Sequence, residues 1–221
     1  NEAERTFFKG VSQVPPGHWL MVTRQGLRKE RFWEPRPWDQ VHYTRTEEYV
    51  EHFREVFSEA VGCRLRSPGP VGITLSGGLD STSIACTAAY LKESGLCPGV
   101  EIHSFSSVFQ DFPEVDESRY IDAVAERWGL VRHHILADGF WAFKPLKDRG
   151  IVLGQPYPVP FQARHEALLQ EARSAGVRVV MTGEGGDELL LAGFGYLLDL
   201  MRGLHLARLF TELKYLVPRS R

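Results

Sequence analysis

The sequence is poor in cysteine, and its apolar residues are broken into short runs. Its 221 residues include three cysteines and no Cys-x-x-C motif, so neither a zinc-site pattern nor a disulfide framework is present. We therefore expect Cys63, Cys86 and Cys97 to be reduced, buried thiols of a cytoplasmic protein, with Cys86 in the core. No apolar run reaches the length of a membrane span, so no membrane partner is expected.

An excess of charge of either sign is also lacking. Lysine and arginine number 26, aspartate and glutamate number 28, and the formal net charge is −2 without a basic run. Nucleic-acid-binding domains usually carry a concentrated basic patch, so nucleic acid is not expected as the main partner. The length allows one sizeable core, with room for a fragment of a second domain.

Two common phosphate-binding motifs are absent, and a third arrangement stands in their place. The sequence contains neither a Walker A loop nor the Gly-x-Gly-x-x-Gly dinucleotide fingerprint. Residues 76–81, Ser-Gly-Gly-Leu-Asp-Ser, instead follow the apolar run 71–75 and precede a helical pattern. Glycines allow close backbone approach, and a helix N-terminus offers free N–H groups to an anion. The hydroxyls of Ser76, Ser81 and Thr82 add donors, so this loop is a candidate anion site.

Asp80 makes that loop unusual, because a carboxylate repels phosphate unless a cation lies between them. Mg²⁺ commonly binds through one or two carboxylates together with phosphate oxygens. The loop therefore predicts a Mg²⁺–pyrophosphate site at a helix N-terminus. The alternative from the residues alone is an ordinary glycine turn in which Asp80 caps the helix.

A second glycine-rich, acidic loop repeats the arrangement. Residues 177–182 are typical of a buried strand, and residues 183–188, Gly-Glu-Gly-Gly-Asp-Glu, follow them before another helical pattern. We expect Asp187 to be a second metal or pyrophosphate ligand and Glu184 to face the same crevice. Acidic residues are also favourable in the first turn of any helix. That alternative explains Asp187 and Glu188, but not why the arrangement occurs twice.

The order of strand and helix patterns predicts a doubly wound α/β fold with a mainly parallel sheet. Predicted strands at 71–75, 101–109, 131–136 and 177–182 alternate with helical segments. Ligands bind such sheets beyond the carboxyl ends of the strands, where the winding reverses. If the strands at 71–75 and 177–182 are neighbours, both acidic loops face one crevice.

Several local features accompany this fold. A capping box at 44–47 opens a helix whose apolar face we expect to be buried, and Asp116 is predicted to cap a later helix. His133 and His134 are expected to be packed or hydrogen-bonded and not to bind metal. Residues 137–161 are irregular and long for a connection, which indicates a functional segment.

Three ordered motifs resemble those of the PP-loop ATP pyrophosphatases, specifically the asparagine synthetase family. Residues 76–81 resemble the PP-loop itself, and residues 183–188 look like the second ATP-site loop of the asparagine synthetase branch. His-Ser-Phe-Ser at 103–106, in the strand between the two loops, is also similar to that branch. Residues 41–217 fit the first part of such a synthetase domain in order and spacing.

The N-terminal part resembles a different piece of the same architecture. Residues 7–36, with Val14–His18 and Arg31–Trp33, are similar to the β segment that closes the family's N-terminal glutaminase domain. We therefore divide the chain into residues 1–38, a glutaminase-like segment and linker, and residues 39–221, the first part of an ATP-binding synthetase domain.

The resemblance implies ATP and Mg²⁺ as cofactors and assigns roles to individual residues. Pyrophosphate is held by Ser76, Gly77, Gly78, Asp80 and Ser81. Adenosine is contacted by Leu75, Ser107 and Gly183. Glu184 lies where the family has an acidic residue near the acyl or amine partner. The candidate catalytic residues are Asp80, Glu184 and Asp187, and the candidate metal ligands are Asp80 and Asp187.

The reaction implied is amide formation through an acyl-adenylate. A carboxylate, small-molecule or peptide, attacks the α-phosphorus of ATP and releases Mg²⁺–pyrophosphate. Ammonia or a glutamine-derived amine then displaces AMP. Aspartate is the acyl group implied by the resemblance, and a homodimer is left open.

Two features of the family are not matched by this chain. No cysteine nucleophile for glutamine hydrolysis leads it, since it begins at Asn1. The family's lysine near the α-phosphate lies beyond the matched segment, so we expect a longer enzyme. The alternatives left open are a related cyclase of the β-lactam synthetase or lasso peptide type and a non-catalytic nucleotide-binding fragment. A tRNA-modifying PP-loop enzyme fits less well, because paired cysteines and a basic surface are absent.

Overall fold

The computed structural model describes residues 4–36, 41–144, 160–190 and 194–216. Within these ranges six strands and seven helices follow one another along the chain. In chain order they are β1 (His18–Thr23), β2 (Gly26–Arg31), α1 (Thr46–Gly62), β3 (Val71–Thr74), α2 (Leu79–Glu93), β4 (Ile102–Val108), α3 (Ser118–Trp128), β5 (Val131–Leu136), α4 (Gln162–Ser174), β6 (Val179–Met181), α5 (Gly186–Leu190), α6 (Phe194–Arg202) and α7 (Leu206–Leu216).

Four of the strands form a parallel sheet in the order β5-β4-β3-β6. The chain winds outward from β3 through β4 to β5, and then crosses back so that β6 lies on the other side of β3. The winding therefore reverses between β3 and β6, where Ile73 is paired with Met181. The predicted α/β fold is confirmed, and the two strands that precede the acidic loops are neighbours.

Helices cover both faces of this sheet. On one face α2 and α3 pack against the sheet, and the core there includes Val71 and Ile73 of β3, Ala88 of α2 and Ile121 of α3. On the other face α4 packs against β4 and β5, chiefly around the buried Phe105. Strands buried on both faces need apolar residues at successive positions, which is why the buried start of β3 is a short apolar run in the sequence. The buried positions of β4 also include polar residues, namely His103, Ser104 and Ser106.

The start of α1 differs from the prediction by one residue. The N-cap is Arg45, and its backbone N–H donates to the Glu48 carboxylate at 2.9 Å, so the expected Thr44–Glu47 box is wrong. The expected burial of the apolar face is also wrong at its N-terminal end. Only the C-terminal half of α1, around Phe57 and Val61, packs against the core. Four side chains nearer the N-terminus of α1 are exposed: Tyr49, Val50, Phe53 and Val56.

The helix α3 begins without the predicted aspartate cap. Its N-cap residue is Glu117, and Asp116 instead accepts hydrogen bonds from the Phe109 N–H, at 2.9 Å, and from the Ser118 hydroxyl. Gly129 ends the helix in the left-handed conformation, with φ of +60°, as its position in the sequence indicates.

The cysteines are free but less buried than expected. Cys86 and Cys97 are partly buried, whereas Cys63 is exposed just after the end of α1, so its predicted burial is wrong. Cys63 is the C-cap residue of α1, and its sulfur lies 3.2 Å from the Arg64 guanidinium. No helix in the described ranges is long and apolar enough to cross a membrane.

The N-terminal segment forms a separate two-stranded antiparallel sheet, β1 paired with β2. This agrees with the β segment expected within residues 7–36. The linker residues 37–40 and most of the irregular stretch 137–161, namely 145–159, lie outside the described residues.

Candidate active site

The two acidic loops meet at the carboxyl edge of the sheet, at the point where its winding reverses. The first loop follows β3 and leads into α2, and the second follows β6 and leads into α5. The Thr74 hydroxyl at the end of β3 lies 3.4 Å from the Met181 carbonyl of β6, which brings the two strand ends together. This is the place where open α/β sheets bind their ligands.

Glycines in the second loop allow it to lie directly on Asp80. A methyl group added at Gly183 would lie 3.0 Å from Asp80 Cβ and 3.0 Å from the Ser81 backbone nitrogen. One added at Gly186 would overlap the Asp80 carboxylate. Asp187 follows Gly186 in the chain, so the structure brings Asp80 close to the segment that carries Asp187.

Ser81 organises the first loop from within. Its side chain is 5% exposed, and its Oγ accepts a hydrogen bond from the Ser76 N–H at 3.1 Å and lies 2.9 Å from Ser76 Oγ. Ser76 Oγ in turn accepts from the Gly78 N–H at 3.3 Å. A hydroxyl carries a single proton, so Ser81 is largely occupied in fixing the backbone of the loop.

The N-terminus of α2 remains available to an anion. Its N-cap residue is Gly78, and no side chain caps the first turn. The first N–H groups of a helix have no acceptor within the helix, and together with the helix dipole they favour a negative charge. Thr82 is not a donor to this site in the structure, because its hydroxyl lies 2.9 Å from the Gly78 carbonyl and 3.1 Å from that of Leu79.

A cavity of about 1760 Å³ opens in front of the two loops. Single-ligand pockets typically enclose about 300–1,000 Å³, so this cavity has room for a nucleotide and a second substrate. Nine of the predicted site residues line it: Leu75, Ser76, Gly78, Asp80, Ser81, Ser107, Gly183, Glu184 and Asp187. Gly77 and Thr82 are not among the residues that line it.

The residues present fit a magnesium ion only if phosphate oxygens complete its coordination. Within the part of the chain that the structure describes, no group of three or more potential metal-binding side chains occurs. Asp80, in the first turn of α2, and Asp187, in the first turn of α5, supply two carboxylates that line the same cavity. This is the donor set expected of Mg²⁺ that is delivered with a nucleotide, and not of a metal held by protein ligands alone.

Basic residues also line the cavity. They are Arg54 of α1, Arg64 just after α1, and Arg164 and His165 of α4. The Arg164 guanidinium lies 4.8 Å from the centre of the Phe161 ring, a cation–π contact. Within the described ranges, neither Arg54 nor Arg164 forms an ion pair with a carboxylate. Sequence reasoning missed these residues, because isolated arginines in helices carry no local signal of a shared cavity.

Glu117 is a second residue that sequence reasoning missed. Its carboxylate accepts a hydrogen bond from the Gly77 N–H at 2.9 Å, across 40 residues of sequence. The sequence predicted a role only for the preceding residue, Asp116, as a helix cap. The contact made by Glu117 depends on where the connection between β4 and α3 lies in the fold. Only the adjacency of β3 and β4 in the sheet could have indicated it.

Two other carboxylates fix the connection that carries Glu117. Asp138 accepts from the Gln110 N–H at 3.0 Å and from the Asp111 N–H. Although desolvation acts to raise the pKa of Asp138, these backbone donors lower it overall. Hydrogen bonds from the Ser118 hydroxyl and then the Phe109 N–H hold the pKa of Asp116 below its ordinary value.

The histidines of β4 and β5, namely His103, His133 and His134, are not among the residues that line the cavity. His133 Nε2 lies 3.0 Å from His103 Nδ1, and His133 Nδ1 lies 3.2 Å from the Glu171 carboxylate. The His133 ring also stacks on Phe105, with 4.5 Å between ring centres. His134 lies 3.4 Å from Asp122. The expectation that these histidines are packed and hydrogen-bonded is confirmed.

Comparison with known proteins agrees with this geometry. Residues 52–218 match the asparagine synthase family. Amidase chyE of Penicillium rubens is 35% identical over 195 residues, which is 83% of this chain and 29% of that protein. The glutamine-hydrolyzing asparagine synthetase 2 of Arabidopsis thaliana is 34% identical over 188 residues, 80% of this chain and 30% of that protein.

The fold and the two loops define an α/β protein of the PP-loop type, with a Rossmann-like parallel sheet. Because the family match covers most of the chain, the chain belongs to the asparagine synthase family. The resemblance noted in the sequence is thereby confirmed. The chain spans about 29–30% of the length of these curated relatives.

Proposed function

We propose that this chain is the nucleotide-binding part of an ATP-dependent amide-forming ligase that activates a carboxylate as an acyl-adenylate. The observation that carries the proposal is the contact between the two loops, in which Gly183 and Gly186 lie against Asp80 at the reversal of the sheet. It creates one site with an uncapped helix N-terminus and two carboxylates on adjoining loops. Such a site suits the Mg²⁺-bound triphosphate of ATP better than it suits an anion alone.

The residues act in three groups. The N–H groups at the start of α2 and the Ser76 hydroxyl bind the departing pyrophosphate, with Asp80 and Asp187 on its Mg²⁺. Magnesium, when bound, neutralises charge that develops on the leaving group. Leu75, Ser107 and Gly183 at the strand ends contact adenosine. Preorganised donors of this kind stabilise the transition state without reorganising during the reaction.

The acyl substrate occupies the other part of the cavity. Arg164 carries a guanidinium without a carboxylate partner in the described part of the chain, and it is held over Phe161. We assign it to the carboxylate-bearing substrate, since arginine pairs with carboxylate through a two-pronged hydrogen bond. Glu184 lines the same cavity. We assign it to the incoming amine, from which it accepts a proton or with whose positive charge it pairs.

The identity of that substrate separates two versions of the proposal. Aspartate with ammonia or a glutamine-derived amine gives asparagine, as the names of several relatives state for those proteins. The 35% identical relative is named an amidase, so the family alone does not fix the acyl group. A cyclase that activates another carboxylate through the same loops is the second candidate. In either version we place the enzyme in the cytoplasm, with self-association as a homodimer to be tested.

The decisive test follows oxygen from the carboxylate into AMP. The full-length protein is incubated with ATP, Mg²⁺, ammonia and ¹⁸O-labelled aspartate, or with labelled peptide carboxylates in parallel. Attack on the α-phosphorus leaves one carboxylate oxygen in AMP when the amine displaces it, so mass spectrometry should find singly ¹⁸O-labelled AMP and pyrophosphate. Formation of ADP and phosphate, or of unlabelled AMP, would contradict adenylation. Labelling with a peptide but not with aspartate would favour the cyclase.

A further inference from the structure

We propose that the Glu117 carboxylate holds the Gly77 N–H of the 76–81 loop and releases it when pyrophosphate or the triphosphate of a nucleotide binds. This inference rests on the proposed function of the 76–81 loop and adds a residue that controls it. The Glu117 carboxylate accepts a hydrogen bond from the Gly77 N–H at 2.9 Å, so this N–H is not free to donate to a phosphate oxygen while the contact lasts. One N–H cannot make a full hydrogen bond to both.

The packing around Gly77 supports this exchange. Gly77 itself does not line the cavity, whereas Glu117 does, so the glutamate side chain covers the glycine of the loop. A methyl group added at Gly77 would lie 3.0 Å from Glu117 Cβ. The absence of a side chain at residue 77 therefore permits this approach.

The charge of Glu117 is not neutralised by a neighbour. In the described ranges no lysine, arginine or histidine forms an ion pair with it, and its side chain is exposed. An incoming anion therefore meets two carboxylates, Asp80 in the first turn of α2 and Glu117 at the N-cap of α3. Asp80 can share a magnesium ion with the nucleotide. Glu117 instead accepts a hydrogen bond from the Gly77 N–H of the loop. Its charge consequently opposes phosphate binding until the side chain swings away.

The connection between β4 and α3 is held in place by hydrogen bonds, so a movement of the Glu117 side chain can be local. The Asp116 carboxylate accepts a hydrogen bond from the Phe109 N–H. The Asp138 carboxylate accepts hydrogen bonds from the N–H groups of Gln110 and Asp111. The backbone around Glu117 is thereby fixed, and the exchange requires only rotation of its side chain.

The test compares pyrophosphate binding by the full-length wild-type protein and by Glu117→Gln, with Glu114→Gln as the matched control. Glu114 lies in the same connection and is exposed, but it does not line the cavity. Glutamine keeps an oxygen for the Gly77 N–H and removes the charge. We expect E117Q to bind Mg²⁺–pyrophosphate at least about fivefold more tightly at low salt, with the gain shrinking as salt is added, and E114Q to match the wild type.

A purely structural role for Glu117 predicts a different result. In that case E117Q would bind pyrophosphate equally or more weakly, and the inference would be overturned. If the wild type and both variants failed to bind pyrophosphate or ATP, the proposed function of the loop would fail and this inference with it. A second measurement does not depend on a variant: in the wild-type protein, adding Mg²⁺–pyrophosphate should shift the Gly77 amide resonance, and an unchanged resonance at saturation would overturn the exchange.

Discussion

The Asp80 carboxylate lies directly against the backbone of Gly186, so that the loops after two neighbouring strands share one surface. The contact exists because residue 186 has no side chain. It places the acidic residue of the first loop beside the segment that carries the acidic residue of the second. The proposed magnesium–nucleotide site depends on this contact.

Substitution of Gly186 by alanine should therefore damage catalysis without unfolding the protein. The new methyl group would overlap the Asp80 carboxylate and displace it, and displacements near 1 Å can lower the rate about 100-fold. Pyrophosphate release in the full-length enzyme measures the effect. Gly195→Ala is the control, since a methyl group there meets nothing within 4 Å. Equal activity of the two variants would argue against the contact.

Removing the charge of Asp80 or Asp187 should raise the magnesium concentration needed for activity. Each carboxylate is assigned one part of the ion's coordination, so D80N and D187N should each shift the half-saturating Mg²⁺ concentration upward by about tenfold or more. Asp122→Asn, on the outer side of α3 beside Arg132, is the matched control. An unchanged magnesium dependence in both site variants would remove the metal assignment.

Much of this site was predictable from the sequence, for local reasons. The 76–81 loop and the 183–188 loop each combine glycines, an acid and a preceding apolar strand, and these are short-range signals. The order of the strands in the sheet was not fixed by those signals, and the packing of Gly186 on Asp80 follows from it. Glu117 and Arg164 could not be identified because their roles arise from contacts across the fold. Tyr49 and Phe53 lie on the apolar face predicted for α1, yet they are exposed. An amphipathic pattern identifies an apolar face, but it does not identify the element that would cover it.

Substitution of Arg164 by alanine should weaken binding of the carboxylate substrate and leave nucleotide binding intact. The variant loses a charged hydrogen-bond donor, so the KM for the acyl substrate should rise about 10- to 100-fold while the KM for ATP changes little. Arg164→Lys should recover part of the loss. Arg173→Ala, at the exposed end of the same helix, serves as the control. A rise in the KM for ATP alone would place Arg164 at the nucleotide instead.

Ser81 should contribute to stability as well as to binding. Its buried hydroxyl fixes the Ser76 backbone N–H, and removing one partner of a buried hydrogen bond costs about 1–3 kcal/mol. We therefore expect S81A to lower the free energy of unfolding by that amount in chemical denaturation and to weaken pyrophosphate binding. Ser83→Ala, at an exposed position on the same helix, should leave the free energy of unfolding unchanged. Equal values for the two variants would remove the organising role of Ser81.

The connection that carries Glu117 should loosen in acid. The pKa of Asp138 is lowered in the folded protein below its ordinary value of 3.8. A lowered folded pKa means that the stabilisation is present above the unfolded pKa and is lost as pH falls through the folded pKa. The amide resonances of Gln110 and Asp111 should therefore titrate together with a midpoint below 3.8. A midpoint above that value, or titration of one amide without the other, would contradict the shared acceptor.

The location of a bound metal ion tests the central claim most directly. Crystals of the full-length protein grown with a non-hydrolysable ATP analogue and Mn²⁺ in place of Mg²⁺ would reveal the ion by its anomalous scattering. The account predicts an ion between the analogue's phosphates and the carboxylates of Asp80 and Asp187, with the phosphates at the N-terminus of α2. An analogue bound elsewhere, or phosphates at α2 with the ion touching neither aspartate, would contradict it.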